Sequence, residues 1–437
     1  MAMRKFGGRR SALAALATLA ILAAWAGSSG AARNPAAPSG TLHFITSSAP
    51  GSDAGFAAVN AAFAKAYPKV KIAYQSIPNQ NYAAAEAARL TAHNVDLLVA
   101  APVQVPSYAK GAESSDSLFA DGGGFLDLSR QPFMQRYTPS LLAALKYKGK
   151  SLMVPTGLSY VTGVYYNKSI FQKYGLSVPT TWATFVKVAN TLKTNGVTPL
   201  GIGGKDSWPA GLTMIAAVQG QYPTSAAMTA LAKGLWQRQV KLTDPKPQAV
   251  LDVVQQIYGF ADPNFAGVGY NDIPAGFASG QYAMTPDGTW NNTTIAAAVG
   301  SNFKFGYFPF PTSNIRKNNA YLAGKNELTL AVPSAAKNKT AALAWLNFFS
   351  QPKHYKLFLD HAGFAPSEPN IPASPFMKSI AQYTKVYLPV WPLFWNPNPK
   401  AGTAAIFPFD YTDLSPLGTL SPQQAASAAE NAWEAGF

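Results

Sequence analysis

The spacing of apolar positions in the first quarter of the chain alternates between that of a strand and that of a helix. Thr41 to Thr46, Val70 to Tyr74 and Val95 to Ala100 are short β-branched and aromatic runs, which are typical of strands. Between them, Gly55 to Tyr67 and Tyr82 to Ala92 have helical spacing. Strands alternating with helices predict a parallel α/β layer.

A second region of mixed elements is predicted further along the chain. Val161 to Tyr166 is typical of a strand, and Ser169 to Tyr174 predicts a short helix. Trp182 opens a longer amphipathic pattern. We expect one helix over Ala210 to Ala232 and another over Pro247 to Phe260. Further elements are expected as strands at residues 199–202 and 303–309, and as a helix at 340–349.

Length and composition point to a multidomain protein. The chain has 437 residues, of which 48% are hydrophobic, enough for two or three domains with cores of their own. It contains no cysteine, so disulfides, thiolate nucleophiles and thiolate metal ligands are excluded. No internal repeat is evident.

The N-terminal segment resembles an export signal. Met1 to Ala32 combines an apolar run, Ala12 to Ala26, with small residues after it and a basic start made of Arg4, Lys5, Arg9 and Arg10. We expect a signal peptide over residues 1–32 and a disordered mature N-terminus over 33–40. A membrane anchor is the alternative, although the run is shorter than the roughly twenty residues that a bilayer span needs.

The net charge of +15 raises the question of an anionic partner. Lys and Arg are scattered, without a run of three, which favours a solvated basic surface and no nucleic-acid partner. A phosphorylated or otherwise anionic small ligand remains an alternative.

Motifs for catalysis or metal binding are absent from the sequence. It contains no HExxH, no G-x-S-x-G and no P-loop. His354 and His361 could share a helix face, but no carboxylate stands at ligand spacing, so we expect no metal and no cofactor. Glycoside hydrolysis needs two carboxylates, and no motif here demands such a pair. The acidic candidates for it are Asp53, Asp96, Asp206, Asp287 and Glu327.

Three segments together resemble one known family. Residues 154–209 contain GVYYNK and a later P-T-T-W, residues 275–290 read AGFASGQYAMTPDGTW, and residues 321–333 read YLAGKNELTLAVP. In this order and spacing they resemble the family 1 extracellular solute-binding proteins, the maltose-binding-protein-like carbohydrate receptors of ABC importers. The resemblance implies an α/β, two-lobed periplasmic binding protein type II fold, with hinge strands between the lobes.

The resemblance also implies how the chain is divided and where it works. The N-terminal lobe would take residues 41–155 and 312–350, and the C-terminal lobe 156–311 and 351–437. We expect a monomeric periplasmic protein, without the cysteine that lipid-anchored relatives use, whose partners are a carbohydrate and the membrane permease of an importer. It would not be an enzyme and would have no catalytic residue. A periplasmic carbohydrate-active enzyme is the alternative from another class.

A carbohydrate site requires aromatic planes for the C–H faces of the sugar and polar groups for its hydroxyls. Trp290 lies in a glycine-containing loop that often faces the cleft in the family, and Asp287 and Asn291 flank it. Trp208 follows a predicted strand end and Asp206. The other predicted ligand-binding residues are Gly324 and Asn326 in the third segment, with Ser47, Ser48, Asp53 and Tyr82 in the first lobe. Trp391 and Trp395 lie in a proline-rich stretch expected either to cover the cleft or to pack structurally.

Overall fold

A computed structural model describes residues 37–390, 398–401 and 409–437 of the chain. Ser39–Phe437 forms one compact unit. Its helices are α1 Pro50–Ala66, α2 Asn79–Thr91, α3 Ser115–Asp121, α4 Pro139–Ala144, α5 Lys168–Lys173, α6 Trp182–Thr194, α7 Trp208–Gln221, α8 Ser225–Trp236, α9 Pro245–Tyr258, α10 Ile273–Ala278, α11 Asn292–Val299, α12 Lys339–Phe349, α13 Pro352–Ala362, α14 Pro375–Ser379 and α15 Pro422–Glu434. Its strands are β1 Gly40–Ser47, β2 Val70–Ile77, β3 Leu97–Val99, β4 Gly157–Tyr160, β5 Gly163–Asn167, β6 Thr198–Leu200, β7 Tyr282–Pro286, β8 Phe305–Pro309, β9 Ala323–Glu327, β10 Leu330–Ala331 and β11 Leu388–Pro389.

The first sheet has the strand order β10-β3-β1-β2. Strands β1, β2 and β3 run parallel, in a register that places Gly40 opposite Val70 and Ser47 opposite Ile77, and β10 is antiparallel to β3. The predicted parallel α/β layer is therefore confirmed. Its core contains Phe44 and Phe56, whose rings meet edge to face at 5.3 Å.

The second sheet has the order β6-β7-β5-β8 and a separate hydrophobic cluster. Strand β5 is antiparallel to both β7 and β8, and β6 is parallel to β7. The predicted short helix forms as α5, because the Asn167 side chain accepts hydrogen bonds from the backbone N–H groups of Ser169 and Ile170. Thr181 and Thr184 form a capping box that starts α6 at the predicted position.

A third, small sheet with the order β11-β9-β4 connects the two regions. Strands β4 and β9 are antiparallel, with Leu158 opposite Asn326, and Leu158 also forms a bridge to Ala365. Before β4 and after β9, Val154 forms a bridge to Leu330. Three chain segments thus pass side by side between the first and second sheets, as expected of the hinge in a two-lobed fold.

One predicted helix is wrong. Ala210 to Ala232 forms two helices, α7 and α8, because Pro223 lies between them and the Thr224 side chain caps the second by accepting a hydrogen bond from Ala227 N–H. The predicted disordered segment 33–40 is wrong at its last residue, because Gly40 N–H donates to Lys69 O at 2.9 Å and begins β1. The predicted signal peptide lies outside the described residues.

The expected lobe boundaries fall inside packed regions. Helix α13, assigned above to the C-terminal lobe, packs along α1 in the first-sheet core, where the Phe358 and Phe56 rings lie 4.7 Å apart. Residues after 311, assigned above to the N-terminal lobe, instead contact the second region, since Thr312 Oγ1 donates to Ala216 O at 2.7 Å. We therefore propose that the first lobe comprises about 39–155 and 328–371, and that the second takes about 160–322 and 373–437.

Candidate functional site

The loop that carries Trp290 follows the end of β7 and precedes α11. Its shape depends on Gly288, because a Cβ at that position would lie 2.2 Å from an atom of the Trp290 ring. Trp290 is half-buried and packs against the main hydrophobic clusters of both regions. The loop therefore holds an aromatic side chain at the seam between the two lobes.

Asp287 organises this loop from beneath. The residue is only 1% exposed, and its carboxylate accepts hydrogen bonds from Gly288 N–H at 2.7 Å, Asn291 Nδ2 at 2.6 Å and Tyr270 Oη at 3.3 Å. Burial raises the pKa of Asp287 to about 7. Asp287 and the Asn291 amide nitrogen, expected above to take ligand hydroxyls, instead bond each other and fix the turn.

Trp290, Trp208 and Tyr270 form one aromatic cluster. The Trp208 ring lies 4.4 Å from the Tyr270 ring and 6.2 Å from the Trp290 ring, centroid to centroid. Trp290 Nε1 donates to Tyr270 Oη at 2.8 Å. Trp208 begins α7 directly after Ser207, whose φ of 60° turns the chain sharply. The structure thus brings together two predicted residues that are 82 positions apart.

Tyr270 is the member of this cluster that sequence reasoning missed. It lies in a short 3₁₀ turn, Tyr270–Asp272, within a glycine-containing connection and outside the three resembling segments. Asp206 holds it there, because the Asp206 carboxylate accepts a hydrogen bond from Tyr270 N–H at 2.6 Å. The one feature of the sequence that could have indicated Tyr270 is an aromatic residue among turn-forming residues.

Lys325 and Glu327 approach Trp290 from the connecting strand β9. The Lys325 ammonium lies 5.3 Å from the centre of the Trp290 ring and 3.3 Å from Glu327 Oε1. Glu327, whose side chain is 8% exposed, also accepts a hydrogen bond from Ser159 Oγ on β4. The cation beside the ring is therefore neutralised by a carboxylate of the same strand.

Gly324 and Asn326 lie on the same strand, with different surroundings. A Cβ at Gly324 would lie 2.8 Å from Ser159 O, so this glycine allows close pairing of β4 and β9; its approach to ligand stays a prediction. Asn326 Oδ1 is buried and, among the described residues, has no hydrogen-bond partner. Such an acceptor is costly to leave unpaired, so Asn326 stays a predicted ligand residue.

The predicted residues of the first lobe lie at the carboxyl ends of its strands. Ser47 ends β1, and Asp53, in the first turn of α1, accepts hydrogen bonds from Ser48 Oγ at 2.7 Å and Ser76 Oγ at 2.8 Å. The same turn lies beside α11, since a Cβ on Gly51 would be 3.0 Å from Thr293 Oγ1. This polar group and the Trp290 loop therefore border the same seam.

Tyr82 lies at a separate place, beside the end of β3. Its hydroxyl donates to Val99 O at 2.7 Å. Two carboxyl groups that sequence reasoning missed stand next to it. Burial, and then the charge of Asp116, raises the pKa of Glu86 to about 8, and burial also raises that of Asp116.

The two lobes are also in contact at a second place, away from the Trp290 loop. The 3₁₀ turn Ser107–Ala109 of the first lobe lies alongside α8 of the second. Together with the contacts of Trp290 on both cores, this gives an arrangement in which the lobes are closed on each other.

The described residues offer no metal centre. Residues 37–390, 398–401 and 409–437 contain no group of three or more His, Cys, Asp or Glu side chains that could hold an ion. His354 stacks on Phe348, with ring centres 3.6 Å apart. Trp391 and Trp395, the predicted covering loop, lie outside the described residues. In the same described part, no helix has the length and apolar character needed to cross a membrane.

Comparison with known proteins gives three kinds of match. The bacterial extracellular solute-binding protein family matches residues 47–356. The multiple sugar-binding protein of Streptococcus mutans is 23% identical over 255 residues, which cover 56% of this chain and 58% of that protein. The chain thus matches little more than half the length of this curated relative.

Solved structures share the fold over nearly the whole chain. RafE in complex with raffinose superposes with a TM-score of 0.72 at 23% identity, covering 90% of this chain and 99% of that one. The apo form of RafE from Streptococcus pneumoniae gives 0.63 at the same identity, covering 92% and 98%. Both likenesses show that this chain shares the fold of these structures.

Proposed function

Because the chain belongs to the bacterial extracellular solute-binding protein family, we propose that it is a receptor that captures a carbohydrate between its two lobes and delivers it to an ABC importer. The observation that carries this proposal is the aromatic cluster of Trp208, Tyr270 and Trp290 at the seam between the lobes. Sugar rings pack their C–H faces on such planes. The proposal takes the protein to act as a monomer in the periplasm.

The polar groups around the cluster favour a neutral sugar over an anionic one. Lys325, the cation beside Trp290, already has a partner in Glu327 at 3.3 Å. A phosphorylated ligand would need unpaired cations or several free N–H donors. Asn326 lies next to Lys325 on the opposite face of β9, where its buried Oδ1 is an acceptor suited to a sugar hydroxyl.

Binding explains the site better than hydrolysis does. Asp287, with a raised pKa, resembles a general acid, but it is 1% exposed and its oxygens accept three hydrogen bonds within the loop. Glu327 is held by Lys325 and Ser159. Neither carboxylate is free to flank a scissile bond. The relatives and structural neighbours described above are likewise binding proteins.

Closure of the lobes supplies the mechanism of delivery. A sugar that contacts the Trp290 loop and the first-lobe residues together binds the closed form more tightly than the open form, and so shifts the population toward it. The three connecting segments allow rotation of one lobe against the other without breaking either core. The permease would then recognise the surface that only the closed form presents.

A thermal-shift panel tests the proposal. The neutral oligosaccharides raffinose, stachyose and chitin oligosaccharides are suitable probes, because structural neighbours bind or are named for them. A sugar at 100 times its Kd should stabilise the fold by about 2.7 kcal/mol and raise Tm accordingly. Sugar phosphates serve as the anionic control and should give no shift.

Two outcomes would overturn parts of this assignment. A shift with sugar phosphates alone would reverse the charge argument made from Lys325 and Glu327. Release of smaller sugars during prolonged incubation with the oligosaccharides, detected by chromatography, would replace the receptor by a carbohydrate-active enzyme.

A further inference from the structure

Lysine side chains are concentrated at one end of the first lobe, where its strands begin. No acidic residue lies between Asp53 and Glu86, or between Glu327 and Asp360. These two acid-free stretches contribute exposed lysines to the same end of the sheet. We name this surface the lysine face and define it by Lys65, Lys69, Lys71, Lys337, Lys339 and Lys353.

Hydrogen bonds bring four of these lysines together around the start of β1. Gly40 N–H donates to the carbonyl of Lys69 at 2.9 Å, and Thr41 stands opposite Lys71 in the parallel register. Asn338, between Lys337 and Lys339 in sequence, donates from Nδ2 to Ser39 O at 2.8 Å and to Thr41 O at 3.1 Å.

Aromatic contacts place the other two lysines of this face, Lys65 and Lys353, at the same end of the first sheet. Lys65 lies in the last turn of α1, which Tyr67 caps. The Phe348 ring lies 6.1 Å from the Tyr67 ring and 3.6 Å from the ring of His354. Lys353, adjacent to His354 at the start of α13, is therefore near the end of α1.

The positive charge of this face is almost uncompensated. Asp96 is the acidic residue that the described contacts place here, and it is 2% exposed. Its two oxygens accept hydrogen bonds from the backbone N–H groups of His43 at 2.9 Å and Asn338 at 2.8 Å. It therefore presents no charge to a partner at the surface.

Ser39 and Gly40, the first residues of the compact unit, lie in the middle of this face. The segment before Ser39 carries the apolar run Ala12–Ala26 and further basic residues, at Arg4, Lys5, Arg9, Arg10 and Arg33. This pattern predicts export across a membrane, whose anionic phospholipids present a polyanionic surface. The family is extracellular, which disfavours nucleic acid as the partner.

We propose that the lysine face binds the anionic phospholipid surface of the membrane. Each lysine near such a surface contributes about 1 kcal/mol of attraction. The carboxyl ends of the strands, with the predicted sugar residues, lie at the opposite end of the same sheet. Lipid binding at this face leaves the cleft directed away from the bilayer, open to sugar.

Vesicle co-sedimentation of the protein without its predicted signal peptide tests this proposal, with no sugar present. Vesicles containing phosphatidylglycerol should sediment the protein at low salt, and phosphatidylcholine vesicles should not. Replacing Lys337 and Lys339 by Gln should lower the partition coefficient about 25-fold, since about 1 kcal/mol per lysine corresponds to about fivefold. Raising the salt should weaken binding, because the Debye length falls from about 30 Å at 0.01 M to about 8 Å at 0.15 M.

A matched variant separates this surface from the net charge of the whole protein. It replaces six exposed second-lobe lysines by Gln: Lys168, Lys187, Lys233, Lys304, Lys317 and Lys378. The control should keep most of its vesicle binding, whereas the variant with all six residues of the lysine face changed should lose it. Equal loss in the two variants, or no binding by the unaltered protein, would overturn the proposal.

Discussion

At the scale of single residues, Asp287 has the largest local effect on the site. Its carboxyl group is buried under the Trp290 loop and is bonded to Gly288, Asn291 and Tyr270. Because Tyr270 in turn accepts the indole N–H of Trp290, Asp287 fixes the position of that ring, which we propose contacts the ligand. It is a positioning residue.

Two replacements of Asp287 should therefore differ in their effect on the free energy of unfolding. Asp287→Ala leaves the Asn291 and Tyr270 donors unpaired and should lower the free energy of unfolding by about 2–3 kcal/mol in urea titrations. Asp287→Asn keeps one oxygen, and the Asn291 amide can rotate to present its own oxygen, so most of that loss should be recovered. Equal destabilisation by Asn and Ala would show that the hydrogen bonds do not hold the loop.

Candidate site residues that follow predicted strands could be selected from the sequence. The residues that contact them in the fold could not. Trp208 and Trp290 could be selected from local pattern and resemblance alone. Tyr270 could not, because its place in the cluster depends on a hydrogen bond from its N–H to Asp206, 64 positions away. Gly324 was assigned a ligand role from the resemblance, and the sequence alone does not show that Ser159 O lies against it.

At the scale of elements, features set by neighbouring residues could be predicted from the sequence, whereas features set by tertiary packing could not. The strands and helices of the first α/β layer, the cap at Asn167 and the capping box at Thr181 follow from short-range patterns. Pro223 between two helical runs was underestimated as a break. The placement of α13 against α1 depends on contacts between residues 302 positions apart, such as Phe56 and Phe358, and no local pattern encodes it.

The connecting strands also explain why the lobe boundaries proposed from the packing differ from those expected from the sequence. Strands β4 and β9 pair with each other, and the bridge between Leu158 and Ala365 adds a third passage of the chain. Resemblance predicted several crossings but not their ends, because an apolar strand in a hinge has the same pattern as an apolar strand in a core. The division proposed from the packing moves α13 into the first lobe.

At the scale of the whole molecule, buried acids should control the response of stability to pH. Burial raises the pKa of Glu86 and Glu368 from 4.5 to about 8, and that of Asp287 from 3.8 to about 7. Between about pH 4 and 8 the folded protein therefore retains protons that the unfolded chain has released. Stability must fall as pH rises through this window.

Thermal unfolding at a series of pH values measures this effect. Tm should be higher at pH 5.5 than at pH 8, and the slope should flatten when Glu86, Asp287 and Glu368 are replaced by their amides. A Tm that rises over the same interval would mean that these carboxyl groups are ionised in the folded protein.

The architecture, then, could be predicted from three segments and a hydrophobic pattern, while the charge balance around the site could not. Lys325 and Glu327 are two positions apart, but only the structure places their ion pair against Trp290. That pair carries the argument for a neutral ligand. The aromatic cluster carries the argument for a sugar.

Calorimetric titration of the Trp290→Ala variant tests the central claim most directly, with the neutral sugar that gives the largest thermal shift. Trp182→Ala is the matched control, because Trp182 is also half-buried but stacks on Phe185, in α6 of the second lobe. Loss of the Trp290 ring should weaken binding by about 10- to 100-fold, through lost aromatic contact and apolar burial, while the control keeps its affinity. Unchanged affinity in a folded Trp290→Ala protein would contradict a sugar site at this seam.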